Sequence, residues 1–218
     1  MDTVLQWCGV VVLAYLLGSI PNGMILAGLR GVDLRTVGSG KTGATNASRV
    51  LGCGAGLLVL AADAAKGALA VWGAGLLPWP TDGWHVTAQG AAAVAVVAGH
   101  CWSVWLRLFT RKWSGGRGVA TALGVILAIH PLAAVIATGV AVGVILVTRY
   151  VSLGSLVGAT VGALAVVVLV LLQWLSPWFV PTALVVAPMI IALHHDNIRR
   201  LVAGTERKLT FSPQRTAL

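Results

Sequence analysis

Two glycine-rich stretches carry cations and hydroxyls at a spacing suited to holding phosphate. The first reads Gly38-Ser39-Gly40-Lys41-Thr42-Gly43-Ala44-Thr45-Asn46-Ala47-Ser48-Arg49, and the second Ser114-Gly115-Gly116-Arg117-Gly118-Val119-Ala120-Thr121. Each runs into a segment with helical character. Glycines permit the positive-φ turns that aim successive backbone N–H groups at one point, and a helix N-terminus adds partial positive charge. Gly40-Lys41-Thr42 imitates the end of a Walker A loop, but that pattern requires glycine where Arg35 stands and a strand ahead of the loop. A nucleotide is therefore excluded. Further polar groups interrupt apolar surroundings in Gly99-His100-Cys101-Trp102-Ser103, in Arg149-Tyr150-Val151-Ser152, and in His194-His195-Asp196-Asn197-Ile198-Arg199-Arg200-Leu201 with Gly204-Thr205-Glu206-Arg207-Lys208 behind it. The set suits an anionic substrate, and specifically a phosphate.

The elements that position these groups are apolar helices. Of the 218 residues 58% are hydrophobic and 10% charged, against about 25% charged in an ordinary soluble domain. Mean hydropathy is +0.91. The chain reads as all-α, a polytopic transmembrane bundle forming one membrane-embedded domain over residues 1–218. Its apolar start, Val4 to Leu17, lacks a basic leader and reads as a retained first span rather than a cleaved signal. The net charge of +9 does not point to nucleic acid, because all the cations but Lys66 fall in four clusters between or after apolar segments. They cluster at Arg30–Arg49, Arg107–Arg117, Arg149 and Arg199–Arg215, while the breaks near Leu77–His85 and Gln173–Pro181 have none. Basic loops face the cytosol.

Counting crossings from that rule gives spans at Val4–Gly28, Leu51–Leu77, Val86–Leu106, Ser155–Leu172 and Pro181–His194. Two short helices between Arg117 and Arg149 turn at His130-Pro131, because the residue before proline leaves the helix. The expected total is seven spans, N-terminus outside and C-terminus cytosolic. A re-entrant hairpin would instead leave five full spans with the same sidedness. Every glycine-cation stretch then lies on the cytosolic face.

Plainer readings accompany each feature. Tight turns touching lipid headgroups would also explain the glycine loops. Asp63 and Lys66, one helical turn apart inside a span, read as a mutual ion pair. Cys8, Cys53 and Cys101 read as buried small hydrophobes, with neither disulfide nor metal spacing. His130 and His195 are structural and surface residues, and no metal or cofactor is expected. Trp72, Trp79, Trp84, Trp174 and Trp178 fall near the outer span ends as an interfacial belt.

The motifs occur in one order: Gly-Ser-Gly-x-x-Gly-Ala-Thr-Asn-x-x-Arg, Asp-x-x-Lys-Gly, Gly-His-x-x-Ser, Gly-Gly-Arg-Gly-Val-Ala-Thr, Ser152-Leu153 and His-x-x-Asn-Ile-x-Arg-Leu-x-x-Gly-x-Glu-x-Lys. Together with Gly18–Pro21 they resemble the bacterial integral-membrane acyl-phosphate:glycerol-3-phosphate acyltransferases over nearly the whole chain. The resemblance implies transfer of a fatty acyl group from acyl phosphate to the 1-hydroxyl of glycerol 3-phosphate, giving lysophosphatidic acid and phosphate for phospholipid synthesis. It implies a bacterial plasma membrane location and a monomer. By the same resemblance Ser39, Arg49, Arg117, His194 and Asn197 are the catalytic set. Gly38, Gly40, Lys41, Thr45, Asn46, His100, Ser103, Gly115, Gly116, Ser152, Glu206 and Lys208 are expected to bind substrate.

Two positions depart from the family pattern, which has Asn at Lys41 and Lys at Arg117, and the Arg107–Ser114 stretch is longer than usual. The His-x4-Asp signature of other acyltransferases is missing. The resemblance implies a substrate-assisted route, with the phosphate taking the hydroxyl proton and His194 as the alternative base. A transporter of a phosphorylated solute is the rival class. It calls for ionisable groups near the midplane within repeated halves, and only Asp63–Lys66 answers to that. A headgroup-binding scaffold would have no use for His194 and Asn197 beside two glycine loops.

Overall fold

The computed structural model describes residues 3–81 and 83–209; Arg215 of the basic tail lies outside them. Among the described residues the regular structure is entirely helical. The helices are α1 (Thr3–Ser19), α2 (Asn22–Gly28), α3 (Ala44–Leu51), α4 (Cys53–Leu76), α5 (Trp84–Cys101), α6 (Val104–Thr110), α7 (Val119–Ile129), α8 (Pro131–Thr148), α9 (Val151–Leu171), α10 (Val180–Leu193) and α11 (His195–Val202). A 3-10 turn, Pro177–Phe179, leads into α10.

Five stretches are long and apolar enough to cross a bilayer: Thr3–Gly28, Cys53–Leu76, Trp84–Thr110, Pro131–Thr148 and Val151–Leu171. A sixth is the pair Pro177–Leu193 and His195–Val202, bent by 57°. The break at His130-Pro131 falls where the sequence places it, with Pro131 opening α8. The two helices flanking it are unequal, however. α8 has 18 residues and spans unaided, whereas α7 has 11. Three of the expected spans differ, the first of them because Val4–Gly28 breaks at Ile20-Pro21 into α1 and α2. The third expected span breaks in two because Ser103 caps α6, accepting from the Leu106 N–H. α9 starts at Val151 rather than Ser155, because Arg149 takes φ 63° and turns the chain within two residues.

Small residues set the packing, as expected in lipid where helices gain little from burying apolar surface. A methyl on Gly124 of α7 would stand 1.8 Å from the Ala64 carbonyl oxygen of α4, and one on Gly67 2.2 Å from that of Thr121. Gly18 against Val96 and Gly99 against Tyr15 bring α1 onto α5 equally closely. Gly154 and Gly158 meet Ala141 on α8. Val71, Val96, Val97 and Ile190 form the buried centre, while Leu13, Val147 and Leu171 point outward.

The two ends of the bundle differ. At one, Trp7 stacks obliquely on Trp79 at 5.1 Å and lies near Trp84, and Gln6 donates to the Pro78 carbonyl. At the other, the C-terminal ends of α1, α5 and α10 and the N-terminal ends of α7 and α9 gather the polar segments.

Candidate active site

The first loop is organised around one side chain. Asn46, 2% exposed, donates to the carbonyls of Leu34, Val37 and Lys41 and accepts from the Ser39 N–H, all within 3.1 Å. Its amide is thus engaged in holding the loop in shape. Gly38 must be glycine, since φ is 63° and a methyl would strike Asn46 Oδ1. The network leaves Ser39, Lys41 and Thr45 half-buried at the loop surface and carries Arg49 into the site from α3.

The second loop lies across the end of α5. The Gly116 N–H donates to the His100 carbonyl and the Ser103 N–H to that of Ser114. A methyl on Gly115 would stand 2.3 Å from the His100 carbonyl oxygen, and one on Gly116 2.0 Å from His100 Nε2. His100 therefore lies beneath the loop. Its Nδ1 is 3.5 Å from Asp63 Oδ1, in a buried cluster with Lys66 at 2.8 Å and Asn22 at 3.0 Å. Ser103 donates to the Ser19 carbonyl and caps α6. Both residues hold the loop and the end of α5 together.

The third side is α9, the α10–α11 break and the segment after α11. Glu206 Oε1 accepts from Ser152 Oγ at 2.9 Å and Asn197 Nδ2 at 2.8 Å, and Oε2 accepts from Arg200 Nε at 2.7 Å. Burial alone would raise its carboxyl, but these three donors hold it below the ordinary carboxylate value. The segment is tied down by the Leu209 N–H on the Arg149 carbonyl, 2.7 Å, and by Lys208 over the Tyr150 ring. Lys208 is an anchor of this strap. His194 Nδ1 sits 2.8 Å from the Ile190 carbonyl. A carbonyl only accepts, so Nδ1 carries the proton and Nε2 presents a lone pair.

The three sides converge. Arg117 lies within electrostatic reach of Arg49, Arg200, Glu206 and Asp196, and Arg49 within reach of Arg200, Arg207 and Glu206. Burial, then neighbouring arginines, lowers both guanidinium groups from their ordinary value, yet guanidinium stays charged. Arginines outnumber carboxylates here, so the site attracts anions. Arg117 Nε and Asn197 Oδ1 are buried and meet no hydrogen-bonding partner among the described residues. A buried donor and a buried acceptor without partners leave hydrogen-bonding capacity unused within this arginine cluster.

Beside this polar pocket an apolar cavity of about 170 Å³ runs between α7, α8, α9 and α10, from Val119 and Gly154 near the arginines to Ile129, Val166 and Phe179. Cations at one end and apolar walls behind suit an amphipathic molecule.

The glycerol-3-phosphate acyltransferase family profile matches residues 8–204. The chain belongs to that family. The glycerol-3-phosphate acyltransferase of Trichlorobacter lovleyi is 44% identical over 195 residues, covering 89% of this chain and 93% of the relative. That of Halalkalibacterium halodurans is 44% identical over 200 residues, covering 91% and 93%. The crystal structure of PlsY (YgiH), an integral membrane glycerol 3-phosphate acyltransferase in its glycerol 3-phosphate form, superposes with a TM-score of 0.83 at 36% identity. It covers 94% of this chain and 96% of that one. Its lysophosphatidic acid form gives 0.81 at 34% identity.

Within this member of the acyltransferase family, Arg49, Arg117, Ser152, His194, Asn197 and Glu206 come together as the sequence suggested. Sequence reasoning passed over Arg200 and Asn22. Arg200 stood in plain view in the last motif, six residues before Glu206, a separation a charged pair bridges when a helix ends between them. Asn22 had no signal beyond the break at Ile20-Pro21.

Proposed function

We infer that this chain acylates the 1-hydroxyl of glycerol 3-phosphate with a fatty acyl phosphate. The observation that carries this reading is the adjacency of a cluster of arginines, among them Arg117 with its Nε unpartnered, to an apolar cavity that begins at Val119. In this reading the acyl chain lies in the cavity and its phosphate faces the glycine loops, Ser39 and Arg117. Glycerol 3-phosphate sits by Arg49, Ser152 and Asn197, whose open Oδ1 accepts from a glycerol hydroxyl.

The 1-hydroxyl oxygen attacks the acyl carbonyl carbon, the carbon–oxygen bond to phosphate breaks, and inorganic phosphate leaves with the hydroxyl proton. An acyl phosphate is already activated, so no covalent acyl-enzyme is required. The protein's work is to hold two phosphates close and to stabilise the developing oxyanion. His194 Nε2 is an acceptor that orients the glycerol, while the phosphate oxygen takes the proton.

The reading includes a monomer in the bacterial plasma membrane, seven crossings with α7 among them, the N-terminus outside and the site at the cytosolic face. The confinement of cations to the site end supports that sidedness.

Purified protein in detergent, given palmitoyl phosphate and glycerol 3-phosphate, tests the assignment. Phosphate released only with both substrates, in step with monoacylglycerol 3-phosphate, is expected. Folded protein that releases none overturns it.

A further inference from the structure

We propose that Asp63 is a positioning residue for Arg117, acting through His100; this rests on Arg117 serving the reaction. Asp63 is 1% exposed and lies in the middle of α4, away from the arginine pocket. Its Oδ1 gathers Lys66 Nζ at 2.8 Å, Asn22 Nδ2 at 3.0 Å and His100 Nδ1 at 3.5 Å. Lys66 also donates to the Ile20 carbonyl at 2.9 Å. One carboxylate thereby fixes α4, α5 and the α1–α2 break to a common point.

A simple ion pair would have been satisfied by Lys66 alone. The third partner gives the cluster a reach beyond its own helices. With Nδ1 turned to Asp63, the opposite edge of the imidazole is turned to Gly116, where no methyl would fit. Backbone bonds from Gly116 to the His100 carbonyl and from Ser103 to the Ser114 carbonyl clamp the loop down onto the ring. On the other flank of Arg117, Gly118 takes φ 84° against the side chains of Val97 and Cys101. Arg117 therefore departs from a backbone seated on His100 at one side and on α5 at the other. The ring sets the height from which its guanidinium enters the site, and Asp63 sets the ring.

Displacing a positioned group by about 1 Å costs on the order of 100-fold in rate. His100→Ala should lower kcat/KM by about that factor, and Asp63→Asn combined with Lys66→Met by a similar one. A double-mutant cycle with Arg117→Ala decides the matter, since residues acting through one another are non-additive. Once the Arg117 side chain is gone, His100→Ala should cost less than about 3-fold further. Equal losses in both backgrounds, with unchanged melting temperature, overturn the proposal. An Arg117→Ala single variant with full activity instead refutes the reading on which it rests. If His100→Ala does not fold, Gly116→Ala serves as the second variant, because its methyl lifts the loop off the ring. Thermal stability near wild type with activity lost about 100-fold supports the proposal, and full activity rejects it.

Discussion

Arg117 enters the site half-buried, with its Nε unpartnered inside the protein. Removing a preorganised donor of this kind costs about 10²–10³-fold in rate. Arg117→Ala should therefore lower phosphate release at least 100-fold, roughly 2.7 kcal/mol or more, while Arg117→Lys, which keeps the cation, should retain the larger part. Loss of equal size in both variants would mean that the planar fork, and not the charge, matters. Glu206 makes a different prediction. Its carboxyl is held below the ordinary value, so it stabilises the fold at neutral pH. That contribution disappears as pH falls through the ordinary carboxylate range toward the depressed value. Glu206→Gln should melt earlier than wild type at pH 7, and the gap should narrow only as pH falls below the ordinary carboxylate value of 4.5, as followed by tryptophan fluorescence. At this scale the sequence was partly legible. Residue types announced phosphate chemistry, and Asp63–Lys66 was visible as an i,i+3 pair. Spacing cannot show that Asn46 turns back to hold Leu34, Val37 and Lys41, or that His100 faces Asp63 across two helices. Those contacts depend on tertiary approach, and an Asn that binds substrate looks the same in a sequence as one that binds backbone.

Among the elements, α4 and α7 pack backbone against backbone at their glycines. The Ala64 carbonyl lies where a methyl of residue 124 would go, and backbone cannot move aside as a side chain can. Gly124→Ala should destabilise the protein by about 3 kcal/mol, the upper end of overpacking costs, and should be read as a lowered melting temperature in detergent. A neutral result would show that α7 slides freely on α4. The long apolar helices were legible, because apolar runs, Pro131 and the loop glycines are local signals, whereas α11 lies in a polar stretch with no such run. Boundaries were less so. Arg149 in the left-handed region ends α8 and starts α9 four residues earlier than expected, and arginine is not a residue that advertises that conformation. Ser103 as a helix cap was hidden within an apolar run that continues through Val104-Trp105-Leu106.

For the whole molecule, the tryptophan end and the arginine end lie at opposite poles. If the cations face the cytosol, cysteine introduced at Thr81 should react with an impermeant thiol reagent in intact cells. Cysteine at Lys112 should react only after permeabilisation. The native Cys8, Cys53 and Cys101 are first replaced by Ala. The reverse pattern would invert the topology. The brevity of α7 adds a kinetic consequence. Its 11 residues cover about 16 Å at 1.5 Å per residue, roughly half of a 30 Å hydrocarbon layer. In the proposed reading Arg117, at its start, meets its substrates where water gives way to lipid. The two substrates then come from different phases, and only one of them is counted in moles per litre. For the acyl donor the relevant quantity is its mole fraction in the surrounding lipid. Adding inert detergent at fixed total donor should slow turnover by surface dilution, while the dependence on glycerol 3-phosphate stays that of an ordinary solute.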